Sequence, residues 1–214
     1  GELSDAMRTV IVCMRMLVLG MAAFSQVSAG FRVVTSEAAR RLAVREQPPL
    51  MPDVGLVDAR STGDSLRADL VADGRIALVD FIYTRCESVC RVLGSEFQQL
   101  QQAILEQGLQ ERVRLISISF DPTHDTPDAL ARYARQMQAD PAVWRMATVA
   151  DARELRRLLD AFGVVVVPDG MGGFVHNAAI HTLGADGRLT RIDDLGAIGS
   201  ALRAAAARSG GRAQ

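Results

Sequence analysis

The alternation of apolar and polar residues divides the chain into segments with different periods. Residues 76–83 form an apolar run rich in strand formers, with Asp80 as its one charge, and this pattern predicts a central strand buried on both faces. Over residues 91–107 the period becomes helical: Leu93, Phe97, Leu100 and Ile104 fall on one face, and Gly108 ends the segment. Residues 113–120 return to a strand pattern. A turn over residues 121–127 follows, with Thr126 as N-cap and Pro127 as first residue of a helix reaching about Gln138. Residues 144–149 read as a short strand. Asp151 then caps a helix whose buried stripe is Leu155, Leu158, Leu159 and Phe162, closed by Gly163. Residues 164–167 are apolar and lead into a Gly-rich loop, 168–173. Residues 180–183 and 189–192 flank the Ala185-Asp186-Gly187 turn as a β-hairpin, and residues 195–208 form an Ala-rich, weakly amphipathic helix. Ahead of the central strand, residues 55–59 and 61–70 read as a short strand, a turn and a loop ending at the Asp73-Gly74 turn pair.

Strand–helix–strand–helix followed by a hairpin and a last helix predicts an α/β fold. The expected form is a thioredoxin-like sandwich, with a central mixed sheet flanked by helices and a β-hairpin near the C-terminus. The 214 residues suffice for one domain and a tail, and a net charge of −1 gives no electrostatic case for nucleic acid as a partner. At the N-terminus Arg8 and Arg15 flank a short apolar patch, residues 16–24 carry no charge, and small residues run to Ala29. This reads as a secretion signal cleaved after Ala29, or as an N-terminal anchor that attaches the chain to a membrane. The expected organisation is a leader with signal or anchor over 1–29, a linker over 30–51, the thioredoxin-like domain over 52–208 and a flexible tail over 209–214. The expected location is outside the cytoplasm, periplasmic or facing the periplasm on the inner membrane.

Candidate chemistry centres on V-D-F-I-Y-T-R-C-E-S-V-C, from Val79 to Cys90. A strand, a polar turn, two cysteines four apart and a helix is the layout of a redox or metal site. The third cysteine, Cys13, lies in the N-terminal segment, so Cys86 and Cys90 are the one pair available to the domain. A helix N-terminus favours the thiolate, which both disulfide exchange and metal binding need. A purely structural disulfide is the weaker reading, because so short a loop gains little closure entropy. His176 follows the Gly-rich loop, which in a thioredoxin-like sandwich sits over the cysteines. Two soft sulfurs and an imidazole suit Cu(I), whereas zinc would want a fourth ligand. The alternative is an enzyme, a thiol–disulfide oxidoreductase with Cys86 attacking and Cys90 resolving as a redox-active pair. His181, five residues on in the same apparent strand, points to the opposite face and reads as packing. His124 reads as exposed, and Asp121 and Asp125 as residues that fix their turn and cap the helix.

From about Pro52 to Ala205 the chain resembles the SCO/SenC copper-binding proteins of cytochrome c oxidase assembly. The strand with its C-x3-C pair, the segment S-F-D-P-T-H-D-T-P-D-A-L-A-R-Y from Ser119 to Tyr133, and V-H-N-A-A-I-H from Val175 to His181 carry the likeness. The resemblance implies copper, as Cu(I) or Cu(II), held by Cys86, Cys90 and His176. It also implies delivery to, or thiol maintenance of, the dicopper site of cytochrome c oxidase subunit II or another exported copper protein, with a copper donor protein upstream. Glu87 and Arg91 stand where the family usually has proline after each cysteine. They place an acid between the thiols and an arginine that favours their ionised form.

Overall fold

The computed structural model describes residues 7, 11–21, 36–85, 89–170 and 172–210. The expected cleavage point after Ala29 lies outside them, as do Cys86, Glu87, Ser88 and residues 211–214. The chain divides into two compact units, Gly1–Glu46 and Gln47–Gln214. The first contains helix α1 over residues 11–21 and helix α2, Ser36–Glu46, where Arg41 pairs with Glu37 one turn away at 3.0 Å. Among the described residues no helix is long and apolar enough to cross a membrane.

The second unit holds the α/β domain. Its elements in chain order are β1 Gly55–Val57, β2 Thr62–Ser65, α3 Leu66–Asp73, β3 Ile76–Ile82, α4 Val89–Glu106, β4 Val113–Ser119, α5 Pro127–Gln136, β5 Trp144–Val149 and α6 Ala152–Phe162. Then come β6 Val166–Pro168, β7 Phe174–His176, β8 Ala179–Leu183, β9 Leu189–Asp194 and α7 Ile198–Gly210. Seven strands form a mixed sheet in the order β2-β1-β5-β4-β3-β8-β9. β3, β4 and β5 run parallel, and β8 pairs antiparallel with β3 and β9. Every residue of β3 and β4 is buried, as unbroken apolar runs in a two-face-covered sheet require.

On one face Ile76, Leu78 and Ile82 pack with Phe97, Leu100 and Ile104 of α4, Trp144 of β5, and Ala201, Leu202 and Ala205 of α7. On the other, Phe81 meets the Phe162 ring of α6 edge-on, with centroids 5.0 Å apart. The predicted caps are in place: the Thr126 hydroxyl accepts from Ala129 N, the Asp151 carboxylate accepts from Arg153 N and Glu154 N, and Gly163 closes α6 in the left-handed region.

Three parts differ from the sequence expectation. The segment read as a loop holds a short polar strand, β2, and a helix, α3. Ser65 caps α3, and Gly74 ends it at φ 77°, so the Asp73-Gly74 pair is a helix C-cap and not a free turn. The α3 carboxylates also dock on the sheet, with Arg114 of β4 reaching Asp69 at 2.7 Å and Asp73 at 3.3 Å. Secondly, the Gly-rich loop is the tip of a hairpin of its own: β6 and β7 form a two-stranded sheet separate from the seven-stranded one. The predicted hairpin, β8–β9, is present alongside it. Lastly, α7 begins at Ile198, three residues later than expected, and continues to Gly210.

Candidate metal centre

β3 and β4 are parallel and in register to Ile82↔Ser119, so the segment leading to the cysteines leaves the sheet beside the segment that follows β4. Phe120 N donates to Ile82 O at 3.0 Å and locks the two ends together. The fully buried Asp125 then binds across this junction. Its carboxylate accepts from Thr84 N at 2.9 Å, from Thr84 Oγ1 at 2.5 Å and from Ser119 Oγ at 2.5 Å. The next residue, Arg85, donates through Nη2 to Asp121 Oδ2 at 2.9 Å, and His124 Nδ1 lies 2.9 Å from Asp121 Oδ1. Burial opposes ionisation of Asp121, but hydrogen bonds from His124 and Arg85 outweigh it and hold the carboxyl below the usual range. The two residues before Cys86 are therefore fixed by side chains about forty positions downstream.

Cys86 itself lies outside the described residues. Cys90 is in the first turn of α4, and the helix begins two residues earlier than the sequence expectation. His176 ends β7. Its ring packs edge-on against Phe120 with centroids 5.0 Å apart, and Nδ1 lies 3.3 Å from the Asn177 carbonyl. Nε2 is buried and has no hydrogen-bond partner among the described residues. Burial lowers the His176 pKa below its ordinary value, and the contact with the Asn177 carbonyl only partly opposes this, so the neutral imidazole is favoured. In the tautomer that places the proton on Nδ1, facing this carbonyl, the Nε2 lone pair has no partner among the described residues, the arrangement that a metal-binding histidine needs.

Phe120, which touches this imidazole, belongs to an aromatic cluster with Tyr83 and Phe174. Tyr83 lies 5.3 Å from both phenylalanine rings, centroid to centroid, and Phe120 meets Phe174 edge-on at 5.6 Å. The Tyr83 hydroxyl donates to Phe174 O and accepts from Phe174 N, each at 3.2 Å. Phe120 thus touches both the strand that leads to the cysteines and the strand that carries His176.

The other histidines fall as the sequence suggested, though for a different reason in one case. His181 is 3% exposed on β8 and packs edge-on against Phe81 and Phe162 at 5.8 and 5.1 Å. It does not share a strand with His176: the chain leaves the small sheet at Asn177, whose side chain bonds Val165 N and Gly163 O, before β8 starts. The His124 side chain is half exposed. Asp125 anchors Thr84 instead of capping α5, a role that Thr126 takes. Among the described residues no three His, Cys, Asp or Glu side chains gather as a metal site; both domain thiols lie outside them, and His176 is the predicted ligand whose surroundings are defined.

One buried group had no sequence signal beyond its charge. Asp80, 1% exposed in the middle of β3, has both carboxylate oxygens without a hydrogen-bond partner among the described residues. Burial pushes its carboxyl up to about 7; Ser117, opposite it on β4, opposes the rise, and the nearby Glu96 adds to it. The Ser117 hydroxyl already accepts from Trp144 Nε1 at 2.9 Å. Glu96 of α4, 9% exposed, is itself raised by burial, partly offset by a backbone hydrogen bond from Gly196.

Comparison with known proteins gives a consistent picture. The SCO1/SenC family model matches residues 56–206. A SCO1 protein homolog of Bacillus subtilis is 28% identical over 120 residues, 55% of this chain and 61% of that protein. A Stutzerimonas stutzeri protein that carries the name copper-binding protein is 27% identical over 143 residues, 65% of this chain and 66% of its own length. The chain therefore spans just under two thirds of either relative. Bradyrhizobium japonicum ScoI, solved with copper bound, superposes with a TM-score of 0.59 at 25% identity, covering 75% of this chain and 99% of that one.

Proposed function

The chain belongs to the SCO1/SenC family, and we propose that it is a copper chaperone that holds one copper ion through Cys86, Cys90 and His176. The observation that carries this reading is the His176 imidazole: Nδ1 is turned to a carbonyl, while Nε2 is buried and has no hydrogen-bond partner among the described residues. Two thiolates and a neutral imidazole form a soft, low-coordinate set suited to Cu(I). The copper-bound ScoI structure, which shares this fold, supports the choice of metal. The proposed client is the dicopper centre of cytochrome c oxidase subunit II or another exported copper protein, with a donor protein supplying the copper. The proposed location is the periplasmic side of the inner membrane, with residues 1–29 as signal or anchor, 30–51 as linker, 52–208 as the working domain and 209–214 as its tail.

The residues divide the task. Arg85 and Thr84, tied to Asp121 and Asp125, hold the approach to Cys86. Cys90 belongs to the first turn of α4, and the open N–H groups of a helix N-terminus favour a thiolate in general. The Phe120 ring packs edge-on against the imidazole, and Tyr83 packs against Phe120 and Phe174. Titrating the reduced protein with Cu(I) against a competing chelator should give one copper per chain. His176→Ala and Cys86→Ala should each weaken binding by about 100-fold or more, since even outer-shell partners of metal ligands commonly cost about 10–100-fold. A stoichiometry far below one, or binding that survives both substitutions, contradicts the reading.

A second reading rests on the place of Cys90 in the first turn of α4, which suits disulfide exchange equally well. Here the Cys86 thiolate attacks a client disulfide, and Cys90 displaces the client thiol. The chain is left with a Cys86–Cys90 disulfide and the client with a dithiol. His176→Ala separates the two: it leaves the exchange rate with a disulfide peptide intact and weakens copper binding.

A further inference from the structure

The hairpin that presents His176 lies outside the main sheet. Its outer face is exposed, with Val167 at 53% and Val175 at 65%, so nothing on that side fixes its position among the described residues. Two sets of contacts remain. At its base the Asn177 amide binds Val165 N at 2.7 Å and Gly163 O at 2.9 Å, which fastens the hairpin to the end of α6. On its inner face Phe120 packs edge-on against the Phe174 and His176 rings, and the hydrogen bonds come from Tyr83, whose one hydroxyl serves both the N–H and the C=O of Phe174. Residues 174 and 176 point the same way on a strand, so whatever holds Phe174 inward also holds His176 inward. Gly173, the residue before Phe174, lies close under this hydroxyl: a Cβ there would come within 3.2 Å of the Tyr83 hydroxyl and 2.6 Å of Asp169 Oδ2, so a side chain would displace one of them. Tyr83 is also three residues before Cys86, on the strand end that Asp125 and Phe120 immobilise.

We propose that the Tyr83 hydroxyl is the latch that keeps His176 in the metal site, and that its release lets the imidazole leave copper before the two thiolates do. The proposal rests on the copper reading above and assigns Tyr83 as a positioning residue: it binds no metal itself. When the latch holds, copper has three donors. When the hydroxyl lets go of Phe174, the hairpin swings on its Asn177 base and copper keeps two sulfurs, a more open state from which an incoming thiolate can take it. The dicopper acceptor need only offer such a thiolate.

The test compares the wild type, Tyr83→Phe, His176→Ala and the double variant, each as the full chain loaded with Cu(I). Stopped-flow transfer of copper to bathocuproine disulfonate gives the rate. Tyr83→Phe keeps the ring packing and removes only the hydroxyl, so it should accelerate transfer by about tenfold, the scale of one or two neutral hydrogen bonds. In the His176→Ala background the same change should have no further effect, because the group it positions is gone. In the Cu(II) form, electron paramagnetic resonance should show weakened nitrogen hyperfine coupling in Tyr83→Phe, while the alkylation rates of the apo thiols stay as in the wild type. Equal transfer rates in the wild type and Tyr83→Phe, or an equal acceleration with and without His176, overturn the latch. If His176→Ala itself binds copper as the wild type does, the ligand set fails instead, and the two failures are distinct.

Discussion

Asp125→Ala should destabilise the domain by about 3–4 kcal/mol in urea unfolding at pH 7, because it strips three donors of their acceptor inside the fold, each costing on the order of 1 kcal/mol or more. The carboxylate is fully buried and accepts from Thr84 N, Thr84 Oγ1 and Ser119 Oγ. Thr84 is only partly exposed, so water can replace some of what is lost at its hydroxyl but little at Ser119 Oγ. Asp125→Asn keeps the shape but turns an amide donor toward one of these donors, and it should fall between alanine and wild type. Asp125→Ala also frees Thr84, two residues before Cys86, while Arg85 keeps its bond to Asp121, so alkylation of the Cys86 thiol should change in rate while Cys13, in the other unit, reacts as before. A loss under about 1 kcal/mol would mean that this junction does not hold the cysteine turn.

The second large effect is a stability that falls as pH rises. Asp80 has a folded-state pKa of about 7 against an ordinary value of 3.8. Between those values the folded chain therefore holds a proton that the unfolded chain has released, and stability declines with pH across that window and levels off above it. A little over three pH units at about 1.4 kcal/mol each gives about 4 kcal/mol for this one group. The groups facing it are Glu96 from α4 and the Ser117 hydroxyl from β4; Glu96, also raised, steepens the same decline. Asp53, Asp73 and Asp121 have lowered pKa values and act in the opposite sense, losing stability only as pH falls below the ordinary carboxylate range. Asp80→Asn should remove most of the decline, so that its unfolding free energy rises relative to wild type from pH 5 to pH 8. Parallel curves would show that Asp80 is ionised at neutral pH or reaches a partner on unfolding.

The parts of the fold with a strong period were legible in the sequence. β3 and β4 are continuous apolar runs, α6 carries a clear stripe, and Thr126-Pro127, Asp151 and Gly163 mark helix ends by local chemistry alone. α3 was not legible because it buries only Leu66 and Leu70; polar contacts between Asp69, Asp73 and Arg114 do much of its docking, and such contacts leave no periodic mark. β2 has no buried residue, so no alternation announces it. The two small strands around the Gly-rich loop are three residues each, too short for a pattern to separate from a loop.

The candidate site divides in the same way. Its residue types were readable: the C-x3-C pair stands out by spacing, and His176 by its place after the Gly-rich loop. The supports were not. Tyr83 reaches Phe174 across 91 positions and Thr84 reaches Asp125 across 41, and no local pattern encodes a partner at that distance. The D-P-x-x-D segment was recognisable as a turn, yet what it does for the cysteines is visible only where β3 and β4 end side by side. His181 shows the converse. It looks like a second ligand by type, and its burial between Phe81 and Phe162 makes it part of the core.

Copper held by two thiolates and one imidazole is tested by copper K-edge X-ray absorption on the Cu(I)-loaded full chain. The expected first shell is two sulfurs and one nitrogen, with the outer-shell scattering of a single imidazole. His176→Ala should remove the imidazole signal and leave both sulfurs. A shell with fewer than two sulfurs, or an imidazole signal that persists without His176, would contradict this ligand set.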